Sequence, residues 1–342
     1  MGTASGHRRR RRLVGTVQHT VGHTAADPHP HQRKPGGRGK DGARALSREH
    51  AADLMGQLLD GTVTDLEVGA FCLAMRIKGE TPEEMAGFLD ATHARLQRLP
   101  AADVPTVVLP SYNGARKLPV LTPLLALLLA REGLAVLVHG CETEDSRISA
   151  QKVLSSLDIR ALSATQNVSA GQVLYAPTAL LHPGLKRLLD VRRVVGLRNP
   201  AHSLVKLMMP VTGPALLVSS YTHPEYLQSM TATLTLTQTP ALLLRGTEGE
   251  PVADARRTPA MDAFAAGVAT RVQEAQSGPL THLPDLPGTA PDDTAAWIRR
   301  VLAGLAPVPQ PVAQQVAHIV ALARATFPPP ATGATTPTAH CT

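Results

Sequence analysis

The residues best placed to bind or transform a ligand lie in the segment 107–117, where an apolar run is followed by a polar and cationic turn. Val107–Leu109 has the composition of a buried strand, and Thr122-Pro123 predicts the start of the next helix. The turn from a strand into a helix is where α/β folds place ligands, and the amides there favour anions. We therefore expect this turn to define the ligand site of the fold.

Two groups of carboxylates stand apart from this turn. Glu142, Glu144 and Asp145 follow a second apolar run, and Glu248 and Glu250 follow a later one. Neighbouring carboxylates can bind a metal ion or move protons, but a solvated acidic loop and a carboxylate that orders a turn are commoner uses. We predict no catalytic residue, no metal site and no cofactor.

The strongest chemical signal is cationic. A single arginine on a helix is as often a solvated charge or a salt-bridge partner, whereas a cluster can follow a strip of phosphates. Because the sequence shows no motif that enters a groove to read bases, such binding would be independent of nucleotide sequence. The predicted nucleic-acid contacts are Arg116, Lys117, Lys186, Arg187, Arg192, Arg193, Arg198 and Lys206.

Composition agrees with a polyanionic partner. The 342 residues include 34 Lys and Arg against 27 Asp and Glu, a net charge of +7.

Cys72, Cys141 and Cys341 are far apart and form no C-x-x-C pair, so neither a disulfide framework nor a zinc site is indicated. No apolar run approaches the roughly 18 residues of a membrane span. We expect a cytoplasmic protein that does not contact a membrane.

Both ends of the chain have the composition of disordered segments. Residues 1–42 contain the run Arg8–Arg12, several histidines and almost nothing to bury, which predicts a basic arm. This arm could bind nucleic acid or have no specific role. Residues 327–342 are rich in Pro, Thr and Ala and predict a disordered tail.

Residues 43–102 predict a small helical domain. Ser47 can cap a first helix that Gly61 ends, and Thr64 begins a second helix with a capping box. A third helix starts after Thr81, with Pro82 at its first position. We expect helices from about residues 183–208 to join this domain.

Residues 103–326 predict a larger α/β domain. Strand, helix and strand follow one another without polar alternation, which indicates a parallel sheet buried on both faces. Later strands are expected over 173–176, 215–219 and 241–244. Helices are expected over 149–157, 183–194, 200–208, 223–236, 259–274, 291–304 and 311–326. The fold class is therefore α/β, with a mostly parallel central sheet and an all-helical N-terminal domain.

Four separated blocks resemble one known family in the same order. They are Met75–Glu80, Leu109–Lys117, Gly196–His202 and Arg245–Glu250. They are similar to the YbiB-like branch of the anthranilate phosphoribosyltransferase superfamily, and the likeness covers about residues 43–325. The resemblance implies a phosphoribosyltransferase-like fold, a homodimer formed through the helical domain, and DNA binding in place of catalysis.

The enzymes of that superfamily carry motifs that this sequence lacks. Their Gly-Thr-Gly-Gly-Asp turn cradles a diphosphate, whereas the equivalent turn here is Pro110–Gly114, with a tyrosine in it. Their phosphate segment after His-Gly is replaced by the acidic run that begins at Glu142, and Pro251-Val252 stand where an Asp-Glu pair would hold magnesium. The parent reaction is therefore not expected.

Three functions stay open at this point. The leading hypothesis is a nucleic-acid binding protein, for DNA or RNA, on a phosphoribosyltransferase-like scaffold. The alternative is a transferase acting on a nucleobase or an aromatic acid with a rebuilt phosphate site, in which Asn113, Arg116, Lys117 and Arg198 would bind the anion. A protein-interaction scaffold is the third.

Overall fold

The computed structural model describes residues 44–100, 102–280 and 283–328. The predicted basic arm lies outside the described residues, as does all of the predicted tail beyond residue 328. In the described part of the chain, no helix is long and apolar enough to cross a membrane.

A helical layer opens the described chain. Its helices are α1 (Arg48–Asp60), α2 (Asp65–Lys78) and α3 (Pro82–His93). Ser47 accepts a hydrogen bond from a first-turn amide of α1, and Thr64 and Thr81 form full capping boxes on α2 and α3. These caps satisfy amides that the first turn of a helix leaves unpaired, which is why the helices begin where the sequence predicted.

The rest of the chain alternates between strands and helices. The strands are β1 (Thr106–Pro110), β2 (Ala135–Gly140), β3 (Val173–Pro177), β4 (Ala215–Tyr221), β5 (Ala241–Arg245), β6 (Met261–Ala265) and β7 (Val268–Gln273). The helices are α4 (Thr122–Arg131), α5 (Ala150–Ser156), α6 (Thr178–Leu181), α7 (Pro183–Val195), α8 (Ala201–Leu207), α9 (Pro224–Thr237), α10 (Pro291–Leu302) and α11 (Gln310–Thr326).

One seven-stranded sheet has the order β3-β2-β1-β4-β5-β6-β7. The pairs from β3 to β5 are parallel, and β6 and β7 are antiparallel additions at one edge. The predicted fold class is therefore confirmed. Because β1 lies at the centre of the parallel part, the turn after it opens at the carboxyl edge of the sheet, between the ends of its neighbours.

Two hydrophobic cores cover the two faces of the sheet. Alternate residues of β1 point to opposite faces, so Val107 and Leu109 enter one core and Val108 the other. Helices α4, α5, α10 and α11 cover the first face. Helices α7, α8 and α9 cover the second, and α1 and α3 pack on them. This packing fixes the β1 turn between two layers.

One predicted element is wrong. Residues 259–274 form the antiparallel hairpin β6–β7 instead of a helix. Ala266 and Gly267 both have positive φ, +49° and +78°, which is the pattern of a two-residue type I′ hairpin turn. The β-branched alternation of Val268, Thr270 and Val272 favours a strand, whereas an Ala-Gly turn lacks the usual Asn-Gly signal.

Candidate anion site and adjoining cleft

Glu250 fills the inner part of the β1 turn. Its carboxylate accepts hydrogen bonds from the amides of Asn113, at 3.1 Å, and Gly114, at 2.7 Å. The hydroxyls of Ser111 and Thr122 also donate to it, the latter at 3.0 Å. Glu250 is only 1% exposed. A buried carboxylate with this many donors takes the place that an anionic ligand would otherwise fill.

Glu248 fills the outer part of the same turn. Its Oε2 accepts from the amide of Arg116 at 3.0 Å, and its Oε1 accepts from the amides of Lys117 and Leu118 at 2.9 and 3.0 Å. Arg147 Nη1 lies 3.9 Å from Oε2. Successive amides that converge on one anion form a nest, the arrangement used in phosphate sites. In this chain the anion is a side chain of the protein.

Close backbone packing holds the two glutamates against the turn. A Cβ on Gly140 would lie 1.6 Å from the carbonyl oxygen of Ser111, so only glycine lets β2 approach the turn. Gly249, between the two glutamates, has φ +92°. The Asn113 amide group donates to the Glu248 carbonyl and accepts from Arg198 Nη2 at 2.9 Å.

A cleft of about 530 Å³ adjoins the turn on the side of the helical layer. Its walls come from the end of α2, from α8, and from the segment joining β4 to α9. Its lining includes basic Arg76, Lys78, Arg198 and Lys206, acidic Glu80 and Glu225, and aromatic Tyr112, Tyr221 and Tyr226. Lys78 pairs with the buried carboxylate of Glu84. Cationic and aromatic groups together suit a planar or phosphorylated anion of moderate size.

Lys206 is a buried amine in the wall of this cleft. Its Nζ donates to the carbonyl oxygen of Ser220 at 2.5 Å and to its hydroxyl at 3.3 Å. Burial lowers the pKa of Lys206 to about 8; the Glu250 carboxylate opposes that change and the charge of Arg198 adds to it. The ammonium also lies 5.8 Å from the centre of the Tyr112 ring.

Two buried histidines flank the same region. Burial lowers the pKa of His202, which lines the cleft, to about 3. Burial also lowers the pKa of His139, at the end of β2, to about 3. Neither ring nitrogen of His139 has a hydrogen-bond partner among the described residues. Both rings are therefore neutral at physiological pH, and neither adds positive charge for an anion.

The predicted nucleic-acid contacts on α7 make hydrogen bonds or ion pairs with other residues of the chain. Lys186 pairs with Asp190 at 2.5 Å. Arg187 donates to the carbonyl oxygens of Leu58 and Leu59 at the end of α1, at 3.0 and 3.3 Å. Such bonds satisfy carbonyls that a helix end leaves unpaired, so Arg187 ties α7 to α1.

The two arginines near the end of α7 pair with the acidic loop after β2. Arg192 lies 2.5 Å from Glu144, and Arg193 lies 2.9 Å from Asp145. Burial raises the pKa of Glu144, but the hydrogen bond and charge of Arg192, with Arg147, outweigh it and lower the pKa below its usual value. Glu142 pairs with Lys152 instead, at 3.2 Å.

Arg116, Lys117 and Arg198 differ from the α7 residues. Arg116 and Lys117 are exposed at the rim of the turn, and half-buried Arg198 points into the cleft. None of the three makes an ion pair with another described residue. The structure thus gathers these three residues and Lys206 around the turn and the cleft, and places the α7 residues in internal contacts.

Several site residues were not singled out by the sequence. Arg147 borders the turn, and Arg76 and Tyr226 line the cleft. Arg76 lies in the conspicuous block Met75–Glu80, which was a usable signal. Arg147 and Tyr226 carry no local pattern, because they reach the site only through the packing of distant elements.

The positive charge is distributed unevenly along the chain. Residues 1–42 carry nine Lys and Arg against two Asp and Glu, and residues 43–342 carry 25 Lys and Arg against 25 Asp and Glu. The whole excess of +7 therefore belongs to the predicted arm, and the remaining chain is neutral.

The comparisons with known proteins agree with this architecture. Residues 38–95 match the helical bundle domain of the glycosyl transferase family. The uncharacterized protein YbiB of Escherichia coli K12 is 37% identical over 289 residues, which cover 82% of this chain and 90% of that protein. This chain belongs to the YbiB-like branch of the anthranilate phosphoribosyltransferase superfamily.

The enzymes of the superfamily are more distant. The anthranilate phosphoribosyltransferase of Nitratidesulfovibrio vulgaris is 31% identical over 202 residues, which cover 56% of this chain and 58% of that enzyme. The crystal structure of the enzyme from Thermus thermophilus aligns with a TM-score of 0.66 at 20% identity, over 92% of this chain and 88% of that one. This structural likeness is one of fold.

The amides of the β1 turn are not free to bind a diphosphate. The turn amides that would face a diphosphate already donate to Glu248 and Glu250. Among the described residues, no three His, Cys, Asp or Glu side chains gather as metal ligands. The amides of this turn are therefore already bonded within the chain.

Proposed function

We propose that this chain binds nucleic acid independently of nucleotide sequence and does not transfer phosphoribose. The observation that carries the proposal is the occupation of the β1 turn by Glu248 and Glu250. A diphosphate entering the same place would meet two carboxylates at short range, which is strongly unfavourable in a partly buried site.

Charge supports nucleic acid as the ligand. The excess of positive charge lies in residues 1–42, which join the chain just before the helical layer. Arg116 and Lys117 add two exposed cations at the rim of the turn, and Arg198 adds a third at the cleft. A cation that has no carboxylate partner within the protein can neutralise a phosphate without first breaking an ion pair.

The proposal is tested by separating these two sources of charge. One variant replaces Arg116, Lys117 and Arg198 by alanine, and another lacks residues 1–42. Fluorescence anisotropy with unrelated single- and double-stranded oligonucleotides should show weaker binding for both variants, by a similar factor for every sequence. A control with Arg160, Arg300 and Arg324 replaced by alanine loses the same charge elsewhere and should bind more tightly than the first variant.

Unchanged affinity in both the triple variant and the truncated chain would contradict the proposal. Loss in the truncated chain alone would place binding on the arm and remove the turn and cleft from the site.

A transferase acting on a nucleobase or an aromatic acid is the second candidate. It is favoured by the cleft, where Arg198 and Lys206 could hold a planar anion, and by the enzymatic relatives. Calorimetry with phosphoribosyl pyrophosphate and magnesium distinguishes the candidates. Micromolar binding that requires the metal would favour the transferase, and heats equal to dilution would favour the binding protein.

We also propose that the chain forms a homodimer through its helical layer. Leu66, Leu73 and Ile77 lie on one side of α2 and are 84%, 50% and 49% exposed. Seven and four residues separate them, which places them on one helix face. Large apolar side chains exposed together on one face are typical of a protein interface. A dimer would bring two basic arms to one particle.

A further inference from the structure

Lys206 places a primary amine in the wall of the cleft that adjoins the β1 turn. It lies near the end of α8 and is 8% exposed. Its Nζ donates to the carbonyl oxygen and the hydroxyl of Ser220, so both bonds lead to one residue of β4. Among the described residues, the lysines that pair with carboxylates are Lys78, Lys152 and Lys186. The amine of Lys206 is therefore held by two neutral acceptors.

This amine is partly unprotonated near neutral pH. With a pKa of about 8, roughly a quarter of it is free amine at about pH 7.5, against about one part in a thousand for a lysine of ordinary pKa. A neutral amine has two hydrogens, and Ser220 accepts two hydrogen bonds, so the lone pair of the nitrogen is left without a partner. Desolvated lysines of this kind are the nucleophiles that add to carbonyl groups.

The cleft around the amine has room and unpaired positive charge for an anionic ligand. Its volume of about 530 Å³ is within the range of sites for small molecules. Arg198 donates to the neutral side chain of Asn113, and no carboxylate in the described part of the chain pairs with exposed Arg76. Glu80 and Glu225 line the same cleft, but burial raises the pKa of Glu80 and so disfavours its charge. An anion in the cleft would therefore be drawn to the two arginines.

We infer that Lys206 forms an imine with an aldehyde whose anionic group is held in the cleft by Arg76 or Arg198. The lone pair of the amine adds to the carbonyl carbon, and a proton passes from nitrogen to oxygen to give a carbinolamine. Loss of water, made from that hydroxyl and the remaining N–H proton, then forms the C=N bond. The step needs no oxidant or reductant. It does not depend on nucleic-acid binding, and it leaves the amides of the β1 turn bonded to the two glutamates.

The inference is tested by reductive trapping of the full chain with pyridoxal 5′-phosphate at about pH 7.5. This aldehyde carries a phosphate group, its imines absorb visible light, and cyanoborohydride reduces an imine to a stable secondary amine. Peptide mapping by mass spectrometry should find the adduct on Lys206. It should form at least about tenfold faster there than on exposed Lys152, because a larger fraction of the buried amine is unprotonated.

Two variants and a matched control test whether this amine is required. Lys206→Met keeps the unbranched stem but removes the nitrogen, so the imine absorbance should be lost. Lys206→Arg keeps a cation that can donate to Ser220 but forms no imine, and it decides the case if the methionine variant does not fold. Lys152→Met removes an exposed amine that pairs with Glu142, and should leave trapping unchanged. The peptide map of the wild type gives an answer that needs no variant.

A second aldehyde separates the sources of the ligand. An oligonucleotide with one abasic site presents the aldehyde of its ring-opened sugar beside phosphates. Trapping with pyridoxal 5′-phosphate alone supports a small anionic aldehyde, and trapping with the oligonucleotide, alone or as well, supports an abasic nucleotide. Because the first experiment contains no nucleic acid, its outcome is independent of nucleic-acid binding. No adduct with either aldehyde, or an adduct spread evenly over the exposed lysines, would overturn the inference.

Discussion

Single carboxylates decide what the β1 turn can hold. Glu248 and Glu250 accept hydrogen bonds from amides that lie 130 or more positions earlier in the sequence. The sequence showed that the turn lacks a glycine-rich cradle. It also favoured a role for the two glutamates in ordering a turn over a catalytic role. It could not show which amides they meet, because that pairing depends on how β5 and β1 are placed in the sheet.

At the residue scale, His139 gives a prediction for pH dependence. Burial lowers its pKa to about 3, against about 6.5 in an unfolded chain. Below pH 6.5 the unfolded chain binds a proton that the folded chain does not, so the free energy of unfolding falls as the pH falls. The effect is at most about 1.4 kcal/mol per pH unit for this one group.

The variant His139→Leu removes two ring nitrogens that have no partner among the described residues. Urea unfolding between about pH 6.5 and pH 4 should show a shallower loss of stability than in the wild type, by about 1 kcal/mol per pH unit. Exposed His223 replaced by leucine serves as the control and should keep the wild-type slope. Parallel curves for wild type and His139→Leu would refute the assignment.

At the scale of helices and strands, the features that the sequence predicted correctly depend on residues that are close together in the chain. The caps at Ser47, Thr64 and Thr81 and the apolar runs of β1 and β2 act within a few residues, and the structure confirms them. The β6–β7 hairpin was missed because its turn is Ala-Gly and its residues include good helix formers. Pairing with β5 overrides that local preference.

The packing of α1 on α3 gives the prediction at this scale. A Cβ on Gly87, in α3, would lie 2.2 Å from the carbonyl oxygen of Arg48 in α1. Backbone cannot yield as a side chain can, so Gly87→Ala should push the helices apart and lower the free energy of unfolding by roughly 2 kcal/mol or more. Thermal or urea unfolding measures the change.

Gly56→Ala provides the matched control on α1. Its Cβ would meet only the movable guanidinium of Arg95, at 2.8 Å. Stability should stay within about 1 kcal/mol of the wild type, because alanine also favours the helix. Equal losses for the two variants would mean that the close approach at Gly87 does not limit the packing.

At the scale of the whole molecule, the excess positive charge and the exposed apolar face of α2 belong to different parts of the chain. Residues 43–342 are electrically neutral, and several predicted phosphate contacts are used in ion pairs with the acidic loop and within α7. Counting basic residues in the sequence overstated the positive surface, since the sequence cannot show which carboxylate each cation meets. The α2 face and the basic arm remain as the features for partners.

The α2 face predicts the oligomeric state. Leu73→Glu would bury a charge in the proposed interface and should convert the homodimer to a monomer in sedimentation velocity. Leu305→Glu changes an equally large apolar residue, 71% exposed after α10, and should leave the dimer intact. A wild-type monomer, or a Leu73→Glu dimer of unchanged affinity, would show that α2 does not form the interface.

Nucleic-acid binding by the full chain is tested most directly by its dependence on salt concentration. Affinity for two unrelated oligonucleotides is measured over a series of salt concentrations. Binding through phosphates predicts a steep linear fall of log K with log salt, with the same slope for both sequences, because counterions are released from the nucleic acid. Absence of binding at low salt, or an affinity that does not change with salt, would contradict nucleic-acid binding through phosphates.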